Sequence, residues 1–495
     1  MSTVIETTRP ITQRSGLELA AAISAGDVSA REVVEEHIAL IERHNERLNA
    51  VVATRFEEAR AEADAADARA AAARDADGGG DRAEGEELPP FLGVPCTIKE
   101  SFALAGMPHT SGLAARRDVV AAEDATAVAR LRASGAIPLG VTNLSELTLW
   151  IESTNPVYGR TNNAYDPSRT AGGSSGGEGA AVGSGFAPFG LGTDFGGSIR
   201  QPAFFNGVFG HKPTGRLVPH TGHYPAPNAR GSELLGIGPL ARRAKDLMPF
   251  LRAIARPDGR DQTVREVTLG DPAEVSIEGL RVAISDDASI LPVSLELRNA
   301  RVRAATALQA AGAKVERVSL PGVRTAIQPY LNAARESGGV REILEADGDD
   351  TPGLARLLAD AIRGRSHYST ALINTLAAES VGGLIPDRLQ RRAAAAERAL
   401  AAEVSETIGD GVLLHPPWSK LPPRHGRTVG RPWVLAPQAV FNLLGLPVTE
   451  VPLGLNAQGL PLGVQVAAGR DRDHVAIAAA LELERAFGGW VPPPR

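Results

Sequence analysis

The sequence predicts an α/β fold, a mixed twisted β-sheet core surrounded by helices, with a helical insertion. Two observations carry this. Strand-like and helix-like segments alternate over residues 90–250 and again over 410–490. Between these stretches, from 263 to 410, the texture changes to long Ala, Arg and Leu helices with few glycines. The core is therefore expected to be split in sequence within one domain spanning 1–495. With 495 residues, 43% of them hydrophobic and 22% charged, the chain has the composition of a globular protein with a sizeable core.

The elements follow in order. Ser15 precedes an amphipathic run ending at Gly26, and Ser29 with Glu32 reads as a capping box ahead of Val33, Val34, His37, Ile38 and Ile41. A third, alanine-rich helix is expected from Phe56 to Arg74, completing an N-terminal helical region over 10–75. The run ADGGGDRAEGEELPP then breaks the pattern with glycine, acid and proline, so residues 75–90 read as a mobile loop. LGVPCTIK is a buried strand ending in Lys99. Asp124 is expected to cap a helix through Ala133 that stops at Gly135, before the strand AIPLGV. Within the excursion, residues 352–364 and 386–405 read as helices. Strand character returns in GVLLHPP, LPVTEVPLGL and LGVQVAAG, and a final helix covers Asp473 to Phe487.

Composition also excludes some functions. A net charge of −6 argues against a nucleic-acid surface. The single cysteine, Cys96, forbids an intrachain disulfide and a cysteine-based zinc cluster, and fits a reducing compartment. With no histidine near it in the chain, Cys96 reads as a small buried strand residue. The N-terminus lacks the charged and apolar regions of a signal peptide, and nowhere do eighteen uncharged apolar residues run together. A cytoplasmic protein without a membrane segment is expected. Nothing in the sequence requires a metal or a cofactor.

The segment from Gly172 to Arg200, GGSSGGEGAAVGSGFAPFGLGTDFGGSIR, holds two serine clusters bedded in glycine. So many glycines persist in a folded chain mainly where backbone takes φ > 0 or approaches a substrate closely. A linker would lack the interleaved Val182, Phe186, Phe189, Leu191, Phe195 and Ile199. A phosphate loop would need a Lys after its glycines. Gly172–Gly176 fits the G-x-S-x-G pattern of a nucleophile elbow, with Ser174 as the attacking residue, but the residues before it, Tyr165–Thr170, are a turn and not the buried strand an elbow needs. A different base is Lys99, which ends an apolar run where burial would favour its neutral form. Taken alone, Lys99 reads more readily as a snorkelling strand-end lysine paired with Glu100 or another acid, and it is the combination with both serine clusters that favours a base.

The combination of GVPCTIKES, the block from TNLSEL through HKPTGRLVP, and LLGLPVTEVPLGLNAQGLPLGVQVAAG resembles the amidase signature family, hydrolases that use a Ser–cis-Ser–Lys triad. GGSSGGEG, PAFFNGVFGHKP and the ending AFGGW look most like the fatty-acid amide hydrolase branch, whose N-terminal membrane segment has no counterpart among these residues. The resemblance implies Ser198 as nucleophile, Ser174 as bridging serine after a cis peptide, and Lys99 as base. It implies an oxyanion hole from the N–H groups of Phe195, Gly196 and Gly197, joined by that of Ser198, with Ser175, Asp194 and Arg200 in support. Phe195 departs from the isoleucine common at its position, which leaves the N–H in place and alters the pocket wall. Thr148, Leu149 and Trp150 match residues lining the substrate channel, although Leu149 and Trp150 read equally as core. The insertion is expected to shape the rest of an apolar pocket.

The implied substrate is a small amide with an aryl or alkyl acyl group, and the same machinery extends to esters, anilides and carbamates. The other function open to this family is the amidase component of a glutamine-dependent tRNA amidotransferase complex. The two N-terminal helices are expected either to pack on the core or to form a homodimer contact.

Overall fold

A computed structural model describes residues 9–77, 87–346, 353–363, 365–382 and 386–494. Its centre is an 11-stranded mixed sheet. In chain order the strands are β1 (Val51–Thr54), β2 (Val94–Lys99), β3 (Ala136–Thr142), β4 (Phe189–Asp194), β5 (Phe209–Lys212), β6 (Gly236–Ala241), β7 (Arg281–Ser285), β8 (Lys314–Val318), β9 (Val412–His415), β10 (Val448–Leu455) and β11 (Pro461–Ala468). Across the sheet they run β1-β3-β2-β4-β6-β5-β10-β11-β9-β7-β8. Strands before and after the excursion meet at β5 and β10, which pair antiparallel with His211 opposite Thr449.

The central strands β2, β3, β4, β6 and β11 are buried at every position, with no alternation of exposed residues. Helices on both faces cause this, because neither face of the sheet meets water. The opening helices Gly16–Ala25 and Ala30–Leu48 put Leu19, Ile23, Val33, Val34, Ile38 and Ile41 into the same core as β2 and β3. These helices pack on the core. The reciprocal capping box lies at Ser15 and Glu18, while Ser29 makes only the forward bond, accepting from Glu32 N–H.

Four further expectations change. The alanine-rich helix runs to Asp77, so residues 75–77 of the expected mobile loop are helical, and residues 78–86 lie outside the described residues. Asp124 does not cap the helix Thr126–Ala133, whose N-cap Ala125 makes no side-chain bond. Instead Asp124 accepts from Ala105 N–H and pairs with Arg132. The insertion holds two strands that its helical texture did not suggest, β7 and β8, which pair parallel and extend one sheet edge. They flank the helix Leu295–Ala310, so the insertion begins as a strand–helix–strand unit and becomes helical only after Val318. A further unexpected strand, β1, closes the opposite edge against β3.

Strands β2 and β4 position the functional residues. They are adjacent and parallel, with Ile98 opposite Leu191, so Lys99 and Thr193–Asp194 emerge at the same end of the sheet. Crevices outside the carboxyl ends of parallel strands are where α/β proteins hold ligands.

Candidate active site

Lys99, at the end of β2, is fully buried. Its Nζ donates to Ser174 Oγ at 2.7 Å and to Thr193 Oγ1 at 2.6 Å. Burial disfavours the ammonium and lowers its pKa to about 7, against the opposing pull of Asp194 and Glu178. Glu178, in the helix Gly176–Gly183, is itself pushed up to about 7 by burial, against bonds from Thr97 and Thr142 and the charge of Lys99.

Ser174 follows a cis Gly173–Ser174 peptide bond. Its carbonyl accepts from Ser145 N–H and Ser153 Oγ. Residue 173 has to be glycine because a Cβ there would lie 2.8 Å from both Trp150 O and Glu152 N. Ser175 binds the backbone of Thr193 through its hydroxyl, and its N–H donates to Ser198 O at 3.3 Å. The two serine clusters, distant in sequence, are thereby joined. Ser198 retains 6% exposure, whereas Ser174 retains 1%. The Ser198 hydroxyl has no hydrogen-bond partner among the described residues, so it is the open end of the serine pair.

The loop 195–199 wraps around the Asp194 carboxylate, which accepts from the N–H groups of Gly197 (2.7 Å), Ile199 (3.1 Å) and Arg200 (3.3 Å). Of the expected oxyanion donors, Gly197 therefore has its N–H bonded to Asp194. The N–H groups of Phe195, Gly196 and Ser198 stay outside this carboxylate's network. Gly197 also has φ of +119°, and a Cβ there would overlap Gln438 Oε1. Burial pushes the Asp194 carboxyl up, and the Arg200 guanidinium outweighs it, so the group is held below its ordinary range. Arg200 is fully buried and bonds Asp194, Gln438 O, Gln465 Oε1 and Asn442 Oδ1. Its place is structural.

Thr148, Leu149 and Trp150 are half-buried, and the Trp150 carbonyl lies close to the Gly173 turn. Leu147 and Thr148 both have left-handed φ, 52° and 60°, a strained pair of the kind found around ligand sites. Leu149 packs into an apolar cluster with Leu113, Leu147, Val340, Leu344 and Leu372, which ties the loop to the insertion helices. Trp150 is held by an Nε1–H bond to Thr428 Oγ1 at 3.0 Å and packs against the main core.

Several residues of this site escape a reading of the sequence. Thr193 sits beside Asp194, and Glu178 is the acid inside the glycine-rich run, a signal that was available. Gln438, Asn442 and Gln465 are amides in apolar segments, where a buried polar group implies a partner. Tyr330 contributes from the insertion and has no local signal. Cys96 is fully buried and its thiol is pushed well above its ordinary pKa, so it is an inert core residue. Among the described residues no cluster of three His, Cys, Asp or Glu is placed to hold a metal, and no helix is long and apolar enough to cross a membrane.

Residues 32–476 match the family model Amidase. The chain is 40% identical to fatty-acid amide hydrolase 2-B of Danio rerio, over 98% of this chain and 92% of that protein. It is 33% identical to indoleacetamide hydrolase of Bradyrhizobium diazoefficiens, over 97% of this chain and 87% of that one. The solved structure of a bacterial aryl acylamidase of the amidase signature family superposes with a TM-score of 0.78 at 25% identity, covering 97% of each chain. The chain therefore belongs to the amidase signature family and is an amide-hydrolysing enzyme.

Proposed function

We propose that the enzyme hydrolyses the C–N bond of hydrophobic amides, those with aryl or alkyl acyl groups, through an acyl-enzyme on Ser198. The observation that carries this is the buried, low-pKa Lys99 bonded to Ser174, next in the arrangement to a Ser198 hydroxyl that has no partner among the described residues. Neutral Lys99 accepts the proton of Ser174, which takes that of Ser198 as the Ser198 oxygen bonds to the substrate carbonyl carbon. The tetrahedral oxyanion is met by free N–H groups of the 195–198 loop. Collapse breaks the C–N bond while the proton returns through Ser174 to the leaving nitrogen, and water releases the acid by the same relay.

The similarity to fatty-acid amide hydrolase 2-B over nearly the whole chain supports an apolar acyl group, as does the leucine-rich cluster around Leu149. Esters, anilides and carbamates present the same carbonyl and are proposed as further substrates. A panel of nitroanilides, fatty amides, esters and carbamates, with glutamine as comparator, tests the reading. Rates are expected to rise with acyl length, with no glutaminase activity. Glutamine turnover exceeding that of every hydrophobic amide would instead support a role in tRNA amidation.

The base also predicts a pH profile. Lys99 must be neutral to accept a proton, and its pKa in the folded protein is about 7. The kcat/KM of an anilide should therefore rise with pH through about 7 and level off above it. A profile that falls as pH rises from 6 to 8 contradicts Lys99 as base.

A further inference from the structure

Three N–H groups of the loop after β4, those of Phe195, Gly196 and Ser198, are free of an acceptor among the described residues. Each shares a planar trans peptide with the carbonyl of the residue before it, and in such a unit the two groups point in opposite directions. Anchoring the carbonyl from behind therefore aims the N–H in front. All three carbonyls behind the free amides are anchored. Asp194 C=O, the mate of Phe195 N–H, accepts from Asn442 Nδ2 at 2.8 Å. Gly197 C=O, the mate of Ser198 N–H, accepts from Gln201 N–H at 2.7 Å. Phe195 C=O, the mate of Gly196 N–H, accepts from the Tyr330 hydroxyl at 3.3 Å.

We infer that Tyr330 is a positioning residue for the oxyanion hole, its hydroxyl fixing the Phe195–Gly196 peptide so that Gly196 N–H faces the reacting carbonyl. Tyr330 is 4% exposed and lies in the insertion helix Ile327–Glu336. Its ring meets that of Phe195 edge-on at 6.3 Å, and its hydroxyl occupies the space a Cβ on residue 196 would need. Asn442 also holds Arg200, and Gln201 acts through its backbone, so Tyr330 is the anchor of the three that can be removed without touching the rest of the network. The bond also links the substrate-shaping insertion directly to the catalytic loop.

This inference rests on the proposed acyl-enzyme reading, and Tyr330→Phe tests it because the ring is kept and only the hydroxyl is lost. With a nitroanilide, kcat should fall about 10–100-fold, a partial version of losing an oxyanion donor, while KM stays within about twofold. Affinity for a trifluoromethyl ketone, whose serine adduct carries the oxyanion, should weaken by the same factor, and the melting temperature should match that of the parent. Unchanged kcat and ketone affinity overturn the inference. So does a loss of kcat that leaves ketone affinity intact, or one accompanied by a lower melting temperature. Failure of the underlying reading is separately visible, because in that case Ser198→Ala retains turnover whatever Tyr330→Phe does.

Discussion

Ser198→Ala should abolish turnover of every substrate, with kcat falling about 10⁴–10⁶-fold, as when the nucleophile is removed from other serine hydrolases. The size follows from the arrangement around it. Ser174 is bonded to Lys99 and almost wholly buried, so it cannot take over the attack. Within the loop 195–199 no residue other than Ser198 carries a hydroxyl. Substrate binding and folding stability should be unchanged, since the Ser198 hydroxyl makes no bond among the described residues whose loss would be felt. The measurements are single-turnover and steady-state assays on the purified variant, with denaturant unfolding as control. Residual turnover above about one-hundredth of the parent would move the nucleophile elsewhere.

Asp194→Ala should unfold the site rather than merely slow it. The carboxylate neutralises the fully buried Arg200 and accepts from the backbone N–H groups of Gly197, Ile199 and Arg200. Removing one partner of a buried pair leaves an uncompensated charge and costs about 3–5 kcal/mol. Denaturant unfolding should show that loss together with inactivity, in contrast to Ser198→Ala, which should be inactive and stable. The sign with pH is fixed by the same contact. The folded-state pKa of Asp194 is depressed, so its contribution is complete above the ordinary carboxylate range and is lost as pH falls below it. An Asp194→Ala variant that unfolds at the parent's midpoint would show that Arg200 is not held by charge.

Much of this site was legible because its chemistry is concentrated in sequence. Ser174, Ser175, Asp194, Ser198 and Arg200 fall within one glycine-rich stretch, and Lys99 ends an apolar run with the character of a buried strand. What was not legible depends on contacts across the chain. The bond of Gly197 N–H to Asp194 depends on the loop closing around that carboxylate, a turn that no local pattern specifies. Tyr330, Asn442 and Gln465 reach the site from elements far along the chain. The sheet edges were missed for a different reason. β1 has four residues, and β8, KVERV, is charged and partly exposed in the way edge strands avoid further pairing, so neither shows the buried apolar run that marked β2 and β3. The expected cap at Asp124 failed because an acid before a helix can serve another partner, here Arg132.

The central claim is that the acyl group is carried by Ser198 and placed there by Lys99. It is tested most directly by reacting the enzyme with a slowly released aryl carbamate and locating the adduct by intact mass and peptide mapping across a range of pH. The expected result is a single adduct on Ser198 itself, separated from Ser174 by cleavage at Glu178, with a labelling rate that falls as pH drops through about 7 and Lys99 takes up its proton. An adduct on Ser174, or labelling of Ser198 at the same rate in Lys99→Ala as in the parent, would contradict it.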